Sequence, residues 1–118
     1  MTVYNVNVFR QEVTATKPNP GTEVKRVVMI PDGVVDLTLY VIGSTAATAK
    51  VEESYSSGVS IQTNTPAAVW LSVDATLDSV GATTVRYQLG TRTPVALRLS
   101  CLVDNQSATM VLVGKRVR

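Results

Sequence analysis

Apolar and polar residues alternate with a period of two along nearly all of this chain, which is the spacing of a strand with one buried face. A helix needs its apolar residues three and four apart, so the pattern favours sheet over helix throughout. The cleanest run is Val95, Leu97, Leu99, Cys101 and Val103. Val85, Tyr87 and Leu89 alternate in the same way, as do Ala47, Ala49, Val51, Glu53 and Tyr55. In Val34 to Ile42, Val35, Leu37, Leu39 and Val41 share one face, while Asp36, Thr38 and Tyr40 share the other.

Turn chemistry punctuates these runs. Lys17-Pro18-Asn19-Pro20-Gly21 lacks two amide donors and holds a glycine, so Thr16 to Thr22 is read as a loop. Before it, Val3 to Phe9 places Tyr4, Val6 and Val8 opposite Asn5 and Asn7, as a one-sided edge strand would. Pro31-Asp32-Gly33 between Val24 to Ile30 and Val34 to Ile42 predicts a hairpin. Ser56-Ser57-Gly58 turns the chain, and Val59 and Ile61 make a short strand before Asn64-Thr65-Pro66. Ala67, Val69, Leu71 and Val73 then form an inward set, with Trp70 on the opposite face. Asp74 to Thr84 is irregular: Leu77 and Val80 fit either a single helical turn or a loop crossing between sheets. Asp104 to Ser107 is turn material, Ala108 to Val113 is the last strand, and Gly114 leads into a basic tail.

These segments amount to about eight short strands, the expectation for an all-β, antiparallel β-sandwich, Ig-like or jelly-roll-like. At 118 residues the chain has room for one core, so residues 1–118 are read as one domain. Within it, 1–23 is an N-terminal strand or arm and 114–118 a basic C-terminal tail. Hydrophobic residues at 45% and charged residues at 17% suit a folded β protein rather than a disordered one.

The composition also narrows the chemistry. With no histidine, the common triads and the commonest transition-metal sites are excluded. Cys101 lies in phase with Leu97 and Leu99, where a buried thiol is a small hydrophobe, and it has no intrachain partner. Glu52 and Glu53 point to opposite faces of one strand, and the glycines are isolated turn residues rather than a phosphate loop. No enzymatic activity and no cofactor or metal are expected. A net charge of +2 is too small to neutralise a run of phosphates, so no nucleic acid is expected as partner. No export signal and no apolar run of about 18 residues is read, so no membrane is expected either. Trp70 is the one large ring outside the tyrosines and Phe9; it suits a packed or interface position better than a sugar platform.

Three segments carry a resemblance: Lys50-Val51-Glu52-Glu53-Ser54-Tyr55-Ser56-Ser57-Gly58, Thr93-Pro94-Val95-Ala96-Leu97-Arg98-Leu99-Ser100, and Ser107-Ala108-Thr109-Met110-Val111-Leu112. A strand ending in a Ser-rich turn, a P-x-x-L-R-L strand and a closing Thr/Val strand resemble small β-sandwich virion proteins of tailed bacteriophages, over roughly Ala46 to Val113. The resemblance implies a non-enzymatic capsid decoration or cement protein that stabilises the shell by multivalent contacts, or a tail or neck accessory subunit. The chain departs from it in having no long capsid-anchoring arm, which leaves head and tail positions both open. The implied partners are the major capsid protein or other virion subunits, within a symmetric homo-oligomer assembled in the bacterial cytoplasm and carried in the virion. The expected interface residues are Val3, Tyr4 and Val6 for strand addition, Trp70, and Lys115, Arg116 and Arg118 toward an acidic neighbour. A glycan-binding adhesion module, with Trp70 as its discriminating residue, is the alternative from another class.

Overall fold

The computed structural model describes residues 8–18, 25–44, 47–63, 68–74, 77 and 82–116. Eight strands form within them: β1 (Val8–Thr16), β2 (Lys25–Met29), β3 (Val34–Gly43), β4 (Ala49–Ser54), β5 (Leu71–Ser72), β6 (Val85–Gln88), β7 (Ala96–Cys101) and β8 (Ser107–Arg116). One short helix, α1 (Gly58–Gln62), lies between β4 and β5. The strands make two four-stranded antiparallel sheets packed as a sandwich, in the orders β1-β8-β3-β6 and β2-β7-β4-β5. The first strand pairs with the eighth, the second with the seventh, the third with the sixth and the fourth with the fifth. This is a long hairpin rolled up on itself, which selects the jelly-roll arrangement over the immunoglobulin one.

The period-two patterns supply the core. Leu37, Leu39 and Val41 of β3, Met110 and Leu112 of β8, Val51 of β4, and Leu97, Leu99 and Cys101 of β7 are all at most 1% exposed. Burying each large aliphatic side chain contributes about 1.5–3 kcal/mol, so these inner faces supply most of what holds the sheets together. Leu77 adds to this core from the connection between β5 and β6, where its amide donates to the Asp74 carbonyl at 3.1 Å. That connection joins strands of different sheets, as a loop crossing between them does; residues 75–76 and 78–81, Val80 among them, lie outside the described residues, so the helical turn is not described.

Several expectations need correction. Pro31-Asp32-Gly33 does not make a hairpin, because β2 and β3 belong to different sheets. The Ile30 amide still extends the β2 ladder, donating to the Val95 carbonyl at 2.8 Å, and Pro31 has no amide to continue it. Gly33 then turns at φ +85°, and the chain crosses the sandwich. The same turn residues serve a hairpin or an arch, and tertiary pairing decides between them. Val59 and Ile61 lie in α1, not in a strand. Ser57 caps it, its Oγ accepting from the Ser60 amide at 3.2 Å, and only Ile61 is buried. In the set Ala67, Val69, Leu71 and Val73, Val73 is buried, Val69 and Leu71 are exposed, and Ala67 lies outside the described residues. Beyond Ser54 the neighbouring strand has turned into α1, so the Val69 amide donates to the Ser56 Oγ at 2.8 Å in place of a ladder.

The described N-terminal strand is Val8–Thr16; of the expected strand Val3–Phe9 only Val8 and Phe9 lie within the described residues, and residues 1–7 lie outside them. Phe9, Val13 and Ala15 face the core across a strand whose outer positions are Arg10, Glu12 and Thr14. At the other end, Gly114, Lys115 and Arg116 are not a tail. They continue β8, facing Phe9, Val8 and Val34 respectively.

A β-bulge explains that continuation. Between the pairs Val35↔Lys115 and Thr38↔Val113, β3 holds two residues against the single Gly114, and Asp36 takes φ +53°. The extra residue inverts the phase, so Val34 is buried in place of the expected Val35, and both Val34 and Leu37 press on Gly114. A Cβ there would lie 2.9 Å from Val34 Cγ1, 3.0 Å from Leu37 Cδ2 and 3.1 Å from the Val35 carbonyl oxygen. Gly114 is therefore a close-approach glycine and not a strand breaker. Gly114→Ala is expected to lower stability by about 1–3 kcal/mol in urea titration through overpacking. Asp36→Gly, which suits a positive φ, is expected to cost nothing measurable.

Candidate binding groove on the outer face of the second sheet

The outward residues of β2, β7 and β4 form three rows across the second sheet. Met29, Ala96 and Ser54 make the first; Val27, Arg98, Glu52 and the β5 residue Ser72 make the second; Lys25, Ser100 and Lys50 make the third. The first row is partly roofed by α1. A Cβ on Gly58 would sit 3.7 Å from Met29 Cε, and Ile61 is buried.

The middle row carries the polar chemistry. Arg98 Nε and Nη2 donate to the same Glu52 oxygen, Oε1, at 3.1 and 2.8 Å, and the two side chains are only 13% and 10% exposed. The guanidinium carbon also lies 4.3 Å from the centroid of the Trp70 ring, a cation–π contact. Arg98 is thus held by a carboxylate and by an aromatic face at once, and its charge is neutralised in place. Around it a groove of about 350 Å³ is lined by Val27, Met29, Ile61, Gln62, Trp70 and Arg98. Val27, at 45% exposed, forms part of an apolar wall. The groove is apolar at its α1 end and neutral in the middle, and the third row adds Lys25 and Lys50 on the far side.

Glu53 points the other way, as the alternation requires. Its Oε1 accepts from Tyr55 Oη at 3.1 Å and from Arg92 Nη1 at 3.3 Å. Arg92 Nη2 donates in turn to Tyr87 Oη of β6 at 2.7 Å, so the cluster bridges the two sheets at the β5/β6 side. On the β1/β2 side, Arg26 Nε donates to the Thr14 carbonyl at 3.2 Å. Burial raises the Tyr55 pKa, and the Glu53 charge and hydrogen bond raise it further, against a lowering by Arg92. The two glutamates are separated by the thickness of the strand and each is tied to its own arginine, so they do not form a pair around one reactant. Cys101 is fully buried, its thiol directed at the Val103 carbonyl at 3.8 Å. Among the described residues no group of three or more Cys, Asp or Glu side chains converges as metal ligands would.

Of the residues singled out from sequence, Trp70 lines the groove. Lys115 and Arg116 sit at the end of β8 in the other sheet, with Lys115 Nζ 3.9 Å from Asp36 Oδ2 on an exposed surface. Trp70, just before β5, packs on Arg98 of the second sheet, so it and the basic pair lie on different sheets' surfaces. Val3, Tyr4, Val6 and Arg118 lie outside the described residues. Sequence reasoning passes over Arg98, Glu52, Val27, Met29, Ile61 and Gln62 as groove residues. A signal exists for the first pair: a lone arginine in the longest apolar alternation, and a doubled glutamate in another strand.

Arg98→Met leaves Glu52 without its partner and is expected to destabilise by about 3 kcal/mol in chemical denaturation, with much of the loss recovered in the double variant with Glu52→Gln. The raised Tyr55 pKa means the unfolded chain loses its phenolic proton first, so stability is expected to fall as pH rises through and beyond about 10. Tyr55→Phe is expected to flatten that alkaline decline in melting temperature.

The chain matches no protein-family model, no curated protein and no solved structure, so the reading of this groove rests on its own geometry.

Proposed function

We propose that this chain is a non-enzymatic structural subunit of a bacteriophage particle, a capsid decoration or cement protein that grips a neighbouring virion protein through the Trp70 groove. The observation that carries this reading is the groove itself: an apolar wall of Val27, Met29 and Ile61 beside an aromatic ring and an arginine already neutralised by Glu52. Such a surface takes an apolar anchor without desolvating an unpaired charge, as the centre of a protein–protein interface does. The row of Lys25 and Lys50 suits an acidic residue in the same partner segment. The resemblance of the Lys50 to Gly58 and Thr93 to Ser100 segments to virion proteins supports the phage assignment. Architecture adds an argument by analogy, since jelly rolls recur in viral capsid domains. Cementing then follows from multivalency: each copy bridging two lattice subunits makes their separation conditional on breaking its own contacts.

Jelly rolls also recur in lectins, but a sugar platform needs an open ring face and free polar groups beside it. Here Arg98 covers one face of the Trp70 ring, and Arg98 and Glu52 are spent on each other, which leaves a sugar at most one ring face with Gln62, Lys25 and Lys50 beside it.

Co-sedimentation with virions of the source phage tests the reading. Val27→Glu and Trp70→Ala are each expected to weaken binding more than tenfold, the scale of a hot-spot loss. Binding unchanged in both variants would contradict the groove. Loss of glycan-array binding in Trp70→Ala, with particle binding intact, would replace cementing by adhesion.

A further inference from the structure

One row across the outer face of the first sheet is charged antisymmetrically, and that asymmetry selects a partner. One register row runs across all four strands: Glu12 of β1, Val111 of β8, Tyr40 of β3 and Arg86 of β6. An acid stands at one rim, a base at the other, and apolar side chains lie between them. Tyr40 is 37% exposed and its neighbour on the same face, Ile42, is 39% exposed, although both belong to an inner strand of the sheet. Arg10 Nη2, 3.4 Å from Glu12 Oε2, holds the carboxylate at the rim while both side chains stay more than half exposed.

We propose that this face binds a second copy of the chain, sheet against sheet, about a two-fold axis parallel to the strands. That operation lays β1 over the partner's β6 and β8 over its β3 at equal height. Glu12 then meets Arg86 of the partner subunit, and Arg86 meets the partner subunit's Glu12. Val111 and Tyr40 pack on one another in the same row. In the adjacent rows Arg10 falls opposite Gln88 and Val113 opposite Thr38, while Thr109 falls opposite Ile42, so Glu12 stands between its own Arg10 and the partner subunit's Arg86. The other face-to-face two-fold, perpendicular to the strands, would set Glu12 on Glu12 and Arg86 on Arg86 when its axis runs through this row, and repulsion disfavours that register. Three strands of nine or ten residues and the four-residue β6, at about 4.8 Å spacing and about 3.3 Å per residue, cover roughly 500 Å² per copy, at the small end of specific interfaces. The dimer is accordingly a weak one, sensitive to salt. The surface lies on the opposite side of the sandwich from the Trp70 groove, so the proposal stands independently of the function assigned to that groove.

Sedimentation equilibrium of the intact chain tests it. At low salt the mass is expected to rise with concentration toward twice the 12.6 kDa of one chain. Glu12→Arg and Arg86→Glu are each expected to weaken association at least tenfold while leaving the thermal midpoint at low concentration unchanged, since both positions are exposed. An equimolar mixture of the two variants is expected to regain association. In the mixed dimer the introduced arginine of one variant faces the introduced glutamate of the other, and the native Arg86 and Glu12 face each other at the second contact. A wild-type mass that stays at one chain at every concentration, variants that still dimerise, or a mixture that stays monomeric would each overturn the proposal.

Discussion

The structure depends on one constraint: two inner strands in each sheet must bury their inward side chains in the same layer. β8 and β3 on one side and β7 and β4 on the other supply nearly all the fully buried leucines, with Met110, Val41, Val51 and Cys101. Each of these strands is paired on both edges, and their partners come from distant parts of the chain, as Val8↔Lys115 shows. Local turns therefore do not set the topology. The layer forms only when the N-terminal half lies antiparallel on the C-terminal half, an arrangement of high contact order that folds slowly compared with a helical bundle.

Because stability resides in that layer, the side chains of the outer faces are not needed for the core. The two faces differ. The second sheet uses a recessed surface, partly roofed by α1, in which Arg98 is fixed by Glu52 and Trp70 before any partner arrives. The first sheet offers a face with apolar residues in the middle, the Arg10–Glu12 pair at one rim and Arg86 at the other. Polar ties close the open sides of the sandwich between them: Arg26 to the Thr14 carbonyl at one, and Glu53, Arg92 and Tyr87 at the other. These ties also occupy polar groups near the edge strands that would otherwise invite non-specific pairing. A chain built this way has two separate outer surfaces, one proposed to meet a neighbour of different sequence and one a copy of itself.

Much of this is legible in the residues. The sandwich, the inward sets of β6 and β7, the buried Cys101 and the opposite directions of Glu52 and Glu53 all follow from period-two alternation, because side-chain direction in a strand is a local property. What alternation does not encode is which strand lies beside which. Pro31-Asp32-Gly33 turns the chain equally well for a hairpin or an arch, so the expectation fails at the pairing and not at the turn. Gly114 resembles a breaker in sequence because its role is set by Val34 and Leu37 on another strand, brought into contact by the bulge at Asp36. Val59 and Ile61 are too short a run for their spacing to outweigh the Ser57 cap. The groove is half visible: Trp70 stands out by type, whereas Arg98 acquires its meaning only when β4 and β7 are paired.

Central to this account is that the chain works by contact through the outer face of its second sheet. Backbone hydrogen exchange of the chain, free and mixed with the phage particle proposed as its partner, tests that claim most directly. New protection is expected in β2, α1 and residues 68–72, the elements that build the groove, with the core strands slow in both states. Unchanged exchange in those elements, with protection confined to parts of the chain remote from the groove, would contradict it.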